Sequence, residues 1–264
     1  MTALILAAVM GLSIGFLAAI LGIGGGVLLV PMLHLLLGLE MHEAIGTSLF
    51  VVFFLSSSAM VSYLRKRLIL WRLALIFECG STIGAFTGAH ASHFLPSRLL
   101  KVAFSLVLLY TAYKMWQGAK GKTSSSGIEG AWRSEEKLLQ KYKDPSYVLL
   151  LIGLGFIAGF LSGLLGIGGG VVKVPIMKLI LSIPIHNAVA TSAFMITLTS
   201  FVGMSTHLLI GDVKSLVGLA LAPSVMIGSQ LGARTAIRMR GATISKIFAV
   251  LLIFIALRMI LELS

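Results

Sequence analysis

The chain has 264 residues, of which 58% are hydrophobic and 11% charged, with a mean hydropathy of +1.03. A soluble domain carries about 25% charged residues, so that class is excluded, and so is a disordered chain. The net charge of +12 reads as Lys and Arg gathered in cytoplasmic loops of a membrane protein. It does not read as a nucleic-acid surface, because no basic helix with interleaved aromatics lies outside the loops.

The first predicted element is an apolar segment over 2–38. It has no positive region ahead of it, since the first basic residue is Arg65, so it is not a cleaved signal peptide. Thirty-seven residues of helix would span about 55 Å, against a hydrocarbon core of about 30 Å. The segment must therefore break, and Gly22, Gly24, Gly25 and Gly26 mark the place, with Pro31 behind them. Helices follow near 43–64, 72–94 and 98–116. A polar, mixed-charge stretch over 117–145 reads as a solvent-exposed linker. Within it Ser134 to Tyr142 has the pattern of a short surface helix, capped by Ser134. A second long apolar segment runs over 146–182, interrupted at Gly166, Gly168, Gly169 and Gly170 with Pro175 behind. Helices near 187–209, 214–237 and 241–262 complete the chain.

The two sets of elements are one pattern used twice. Shifted by 144 residues, 15–48 falls on 159–192 with 18 of 34 positions identical and no gap. In the same register 80–115 matches 224–259 at 8 of 36 positions. This predicts an all-α, polytopic helical membrane protein of two transmembrane repeats, 1–116 and 146–264, joined by the linker.

Charge sets the expected topology. The loop after the second predicted element carries Arg65, Lys66, Arg67 and Arg72, and the linker region is also basic. In the second repeat the basic cluster moves one loop on, to Arg234, Arg238, Arg240 and Lys246. Opposite bias in the two halves is the mark of inverted-topology repeats. Inversion requires an odd number of crossings per repeat. Each glycine-broken segment must then be a hairpin that leaves on the side it entered, followed by three transmembrane helices. The N-terminus and C-terminus are expected outside and the linker in the cytoplasm. The alternative is a single kinked span, which gives parallel repeats and leaves four basic residues outside.

Several residues are candidates for a site. Gly24, Gly25 and Gly26, with Gly168, Gly169 and Gly170, leave backbone N–H groups uncovered. Half-helices starting near Val27 and Val171 would point their positive ends at the breaks, which suits an anion. The alternative is close helix packing through small residues. That reading fits Gly11/Gly15, Gly155/Gly159/Gly163, Gly80/Gly84/Gly88 and Ser224/Gly228/Gly232, all at small-xxx-small spacing. Lys173 lies three positions after Gly170 in an apolar run, where a lysine costs roughly 2.5–3.5 kcal/mol to insert. Its repeat counterpart is the neutral Leu29, so it reads as an anion counter-charge, or else as a side chain reaching an interface. His42, Thr47 and Ser48, with His186, Asn187, Thr191 and Ser192, open the helices after the breaks. They offer hydroxyl and other donors to an oxyanion, or serve as caps and back-bonding groups. Glu78, inside helix 72–94, is an intramembrane carboxylate and a candidate proton carrier, or a partner for a lysine or histidine of another helix. His207 is a weaker candidate of the same kind.

Enzyme signatures are absent. There is no Walker A run, no HExxH and no GxSxG elbow. Cys79 is the one cysteine, and His90 and His93 have no carboxylate beside them in sequence, so neither a disulfide framework nor a metal site is expected. No catalytic residue, metal or cofactor is assigned.

The duplicated LGIGGGVLLVP at 21–31 and LGIGGGVVKVP at 165–175 resemble the TauE/SafE family of sulfite exporters. So do the helix openings HEAIGTS at 42–48 and HNAVATS at 186–192, and the glycine-spaced stretch at 80–89. The resemblance covers the chain outside the linker. It implies a multi-pass protein of the bacterial or archaeal inner membrane that exports a small sulfur-containing anion, such as sulfite or an organosulfonate. The expected mechanism is secondary transport coupled to a proton or sodium gradient, with the two repeats alternating access. A passive anion channel or uniporter is the alternative.

Overall fold

The computed structural model describes residues 2–119, 143–166 and 168–261. The surface helix expected at 134–142 lies outside the described residues. Every regular element among those described is helical: α1 (Thr2–Leu21), α2 (Gly26–Leu37), α3 (Met41–Leu64), α4 (Trp71–Phe94), α5 (Ser97–Ala119), α6 (Pro145–Leu165), α7 (Gly170–Pro175), α8 (Ile185–Ile210), α9 (Ser215–Arg238) and α10 (Gly241–Leu261). Among the described residues α3, α6, α8 and α9 are each long and apolar enough to cross a membrane. The chain is an all-α, polytopic membrane protein.

Local chemistry sets the boundaries. The Asp144 side chain accepts the Ser146 N–H at 2.9 Å and Pro145 occupies the first turn, so α6 starts there. Glu40 and Glu43 form a capping box at the start of α3. The first broken segment resumes as a regular twelve-residue helix, α2. The second is shorter: α7 gives way to one π-helical turn over Ile176–Ile180, closed by Leu181 N–H to the Ile176 carbonyl at 3.2 Å. Pro31 sits inside an unbroken α2, so the proline alone does not make that turn. The two segments also end differently. Gly38 takes a left-handed φ of 66°, and its repeat counterpart Ser182 takes φ 56° with a side chain attached.

The repeats interlock. α1 packs along α9, and α4 along α6, so the first helix of each repeat lies on the third long helix of the other. The small-residue spacing explains the fit. A Cβ at Gly84 would strike the Phe156 carbonyl, and one at Gly228 the Leu12 carbonyl; these two contacts are related by the 144-residue shift. Gly88 on Phe160 and Gly232 on Phe16 repeat the relation one turn on. α3 packs on α8, and α5 on α10.

Hydrogen bonds fix how the helix ends group. His42 Nε2 donates to the Leu95 carbonyl at 3.0 Å, and His186 Nε2 to the Met239 carbonyl at 2.8 Å. Thr47 Oγ1 accepts Lys214 N–H at 2.9 Å, and Thr191 Oγ1 accepts Leu70 N–H at 3.0 Å. The start of α3 therefore lies at the end of α8, and the start of α8 at the end of α3, so the two run antiparallel. Arg65, Lys66 and Arg67 gather with Arg238 and Arg240 at one end. Glu40, Glu43, His93 and Asp212 gather at the other. There Glu43 Oε1 holds Lys214 Nζ at 2.7 Å, and this hydrogen bond pushes the lysine pKa up.

Candidate functional site

Both glycine breaks sit at the centre of this arrangement, in contact with each other. Gly25 and Gly169 precede α2 and α7 with φ of 83° and 80°, a left-handed conformation that favours glycine. A Cβ at Gly168 would come within 3.9 Å of Gly24 Cα, and both glycines face Val52 and Ile196, a repeat-related pair. Gly170 lies against the Gly22 carbonyl, where a side chain has no room. The triple glycines thus let two non-helical segments cross at close range inside the protein, the setting in which irregular backbone is tolerated in a membrane.

The helix-opening residues hold these breaks in place. Ser48 Oγ donates to the Gly166 carbonyl at 3.0 Å, and Ser192 Oγ to the Gly22 carbonyl at 2.7 Å. Each repeat therefore supplies the hydroxyl that ties down the other repeat's break. Thr47 and Thr191 bind loop amides, and His42 and His186 bind helix-end carbonyls. Asn187 Nδ2 donates to the Leu68 carbonyl at 3.0 Å. The sequence allows these seven residues to act either as oxyanion donors or as caps and back-bonding groups. In this conformation their bonds are to backbone, mostly across the repeat boundary.

The ionisable residues come together beside the second break. Lys173 on α7 is fully buried and donates to Glu78 Oε2 on α4 at 2.9 Å. It also donates to Thr199 Oγ1 on α8. That hydroxyl in turn reaches Glu78 Oε1, and it lies 3.1 Å from Ser81 Oγ and 2.8 Å from the Met195 carbonyl. Ser162 on α6 is fully buried, and its hydroxyl has no hydrogen-bond partner among the described residues. Lys173 and Ser162 meet at the second break: a Cβ on Gly169 would lie 3.1 Å from Lys173 Cε and 3.3 Å from Ser162 Cβ.

Shifted by 144 residues, this cluster loses all its polarity. Lys173, Glu78, Thr199, Ser81 and Ser162 correspond to Leu29, Ala222, Leu55, Val225 and Ala18. The first break packs Gly25 against Leu55, Ala18 and Leu29 in the same geometry. One break has an apolar plug, and the other a buried cation with one carboxylate, the cation from the second repeat and the carboxylate from the first. Lys173 and Glu78 both stand out in the sequence, and a lysine of another helix is one of the partners expected for Glu78; Thr199, Ser81 and Ser162 do not stand out there. Their signal was in the shifted comparison, where each is the polar member of a mismatched pair.

A second titratable group lies at the acidic end. His207 Nδ1 is 3.3 Å from Asp212 Oδ2, and its Nε2 is 3.5 Å from the Gly163 carbonyl. In the first repeat Tyr63 does this work, donating to the Ala19 carbonyl at 2.7 Å. His93, with no carboxylate near it in sequence, finds Asp212 Oδ2 at 3.8 Å.

Comparison with known proteins fits this picture. The family described as sulfite exporter TauE/SafE matches residues 7–259. The chain is 33% identical over 262 residues to the probable membrane transporter protein YunE of Bacillus subtilis, covering 96% of each chain. It is 32% identical to a probable membrane transporter protein of Methanocaldococcus jannaschii, over 85% of this chain and 83% of that one. A probable membrane transporter protein of Haemophilus influenzae is 27% identical over 99% of both. No solved structure matches.

Proposed function

Because the chain belongs to the sulfite exporter TauE/SafE family, a family of membrane transporters and not of enzymes, we propose that it exports a small sulfur-containing anion of the sulfite or organosulfonate class. Transport is secondary and gradient-coupled, and residues 1–116 and 146–264 act as inverted repeats that rock about the crossed glycine breaks. The antiparallel run of α3 and α8 supports inversion, because parallel repeats would align them. The grouping of basic loops at one end supports a cytoplasmic linker over 117–145 with both termini outside.

The observation that carries this reading is the Lys173 cluster. A lysine held in an apolar interior beside a helix break, with an apolar plug at the equivalent place, is not required by the architecture. It gives the transporter one positive charge for an anion. Glu78 supplies the titratable group for coupling. The glycine breaks supply backbone amides, and the residues that latch them, His42, Thr47, Ser48, His186, Asn187, Thr191 and Ser192, join the site as the repeats move.

The test is flux of sulfite, thiosulfate and sulfoacetate in proteoliposomes, with and without an imposed pH or sodium gradient. Saturable, gradient-dependent flux of one of them is expected. Flux that only follows the anion's own gradient without saturation would replace the carrier by a channel.

A further inference from the structure

The geometry at the second break points to a more specific device, which rests on the anion-transporter reading. We propose that Ser162 and Lys173 form a single oxyanion site, one per chain, that fills only when Glu78 carries a proton, so that anion and proton are bound together.

Two unused donors define the site. Two of the three Lys173 N–H bonds go to Glu78 and Thr199, and the third has no partner among the described residues. The Ser162 hydroxyl is equally unpartnered and fully buried. Both lie around Gly169, which has no side chain to separate them. A buried hydroxyl without a partner carries a desolvation cost, and an oxyanion bound to Lys173 would remove it. The first break, with Ala18 and Leu29, has neither donor, so the site is not duplicated.

The proton follows from charge. Among the described residues Lys173 is the one cation at the cluster, and Glu78 already occupies it. An arriving anion would leave two negative charges against one positive in a dry interior, where repulsion is poorly screened. A proton on Glu78 removes the conflict: the carboxyl turns neutral, keeps Thr199 as a hydrogen-bond partner, and gives up Lys173. Other groups facing Glu78 do not supply this charge. α6 presents no charged side chain there, and its one tyrosine, Tyr147, lies in its first turn. On α8 the nearest titratable group is His207, eight residues beyond Thr199 and engaged with Asp212.

The experiment is calorimetric titration of the purified full-length protein with methanesulfonate, thiosulfate and sulfite, across pH and in buffers of different ionisation heat. Methanesulfonate keeps its charge throughout, so any proton taken up belongs to the protein. Uptake of about one proton per anion is expected, with affinity falling about tenfold per pH unit on the alkaline side. Glu78→Gln, the neutral stand-in for the protonated carboxyl, should abolish the proton uptake and flatten the pH dependence. Ser162→Ala installs the residue of the first repeat, so it should fold normally, and it should weaken binding about tenfold. Anion binding without proton uptake, or an unchanged affinity in Ser162→Ala, overturns this proposal and leaves the transporter reading standing. If none of the three anions binds at any pH, the functional reading fails and this inference with it.

Discussion

The first break is a ready-made control for the charged cluster, and it permits a quantitative test. Lys173→Leu and Glu78→Ala install the residues found at Leu29 and Ala222. Either change alone strands the other buried group, and breaking a buried pair in this way costs about 3–5 kcal/mol. Independent effects would sum to about 6–10 kcal/mol. The double variant leaves no charge, and the matching positions of the first break show that apolar side chains fill this geometry. Its cost is therefore expected within about 2 kcal/mol of the unmodified protein, since apolar replacement of a buried pair is often neutral. The resulting interaction, at least about 4 kcal/mol, exceeds the roughly 0.5–3 kcal/mol usual for contacting residues. Reversible unfolding in mixed micelles measures all four corners of the cycle. All three variants should be inactive in transport. A double variant as unstable as the sum of the singles would refute the reasoning, because it would mean that each residue stabilises through contacts other than the pair.

Further predictions concern the packing, the latches and the topology. Gly84→Ala and Gly228→Ala should each cost at least about 1–3 kcal/mol, because both drive a methyl into a backbone carbonyl of the facing helix. Gly153→Ala, in open space on α6, should be neutral or stabilise by up to about 1 kcal/mol; thermal unfolding compares the three. Ser48→Ala and Ser192→Ala should lower stability by similar amounts, about 1–3 kcal/mol each, since each leaves a buried carbonyl of the opposite break without its donor. A large inequality between them would argue against a shared latch. In a background lacking Cys79, a cysteine at Lys66 or Arg240 should react with an impermeant thiol reagent only from the cytoplasmic side, and one at His93 only from outside; labelling of whole cells decides it.

Much of the architecture was legible in the sequence because the duplication announces itself. The ungapped 144-residue shift located both breaks, and the helices resume at Gly26 and Gly170, one residue before the positions read from the glycine runs. The small-xxx-small stripes marked the packing faces, but not that α4 would choose α6 and α1 would choose α9. That choice is tertiary and leaves no periodic trace. For the same reason Ser48 and Ser192 could not be assigned to the opposite repeat's break. Their partners are backbone carbonyls, which any residue provides. The π turn after Pro175 was not foreseeable from the proline, since Pro31 has no such effect. The charged cluster was half visible: Lys173 and Glu78 stand out by rarity, whereas Thr199 and Ser162 look like ordinary small helix residues until set beside Leu55 and Ala18.

The central claim is that the second glycine break is the one anion site of a two-repeat carrier. It is tested most directly by uptake of radiolabelled thiosulfate or sulfite into proteoliposomes containing either the unmodified protein or the Lys173→Leu, Glu78→Ala double variant. The account predicts saturable uptake by the former and none by the latter, with the variant still folded by circular dichroism. Saturable uptake of equal rate and affinity in the double variant would contradict it.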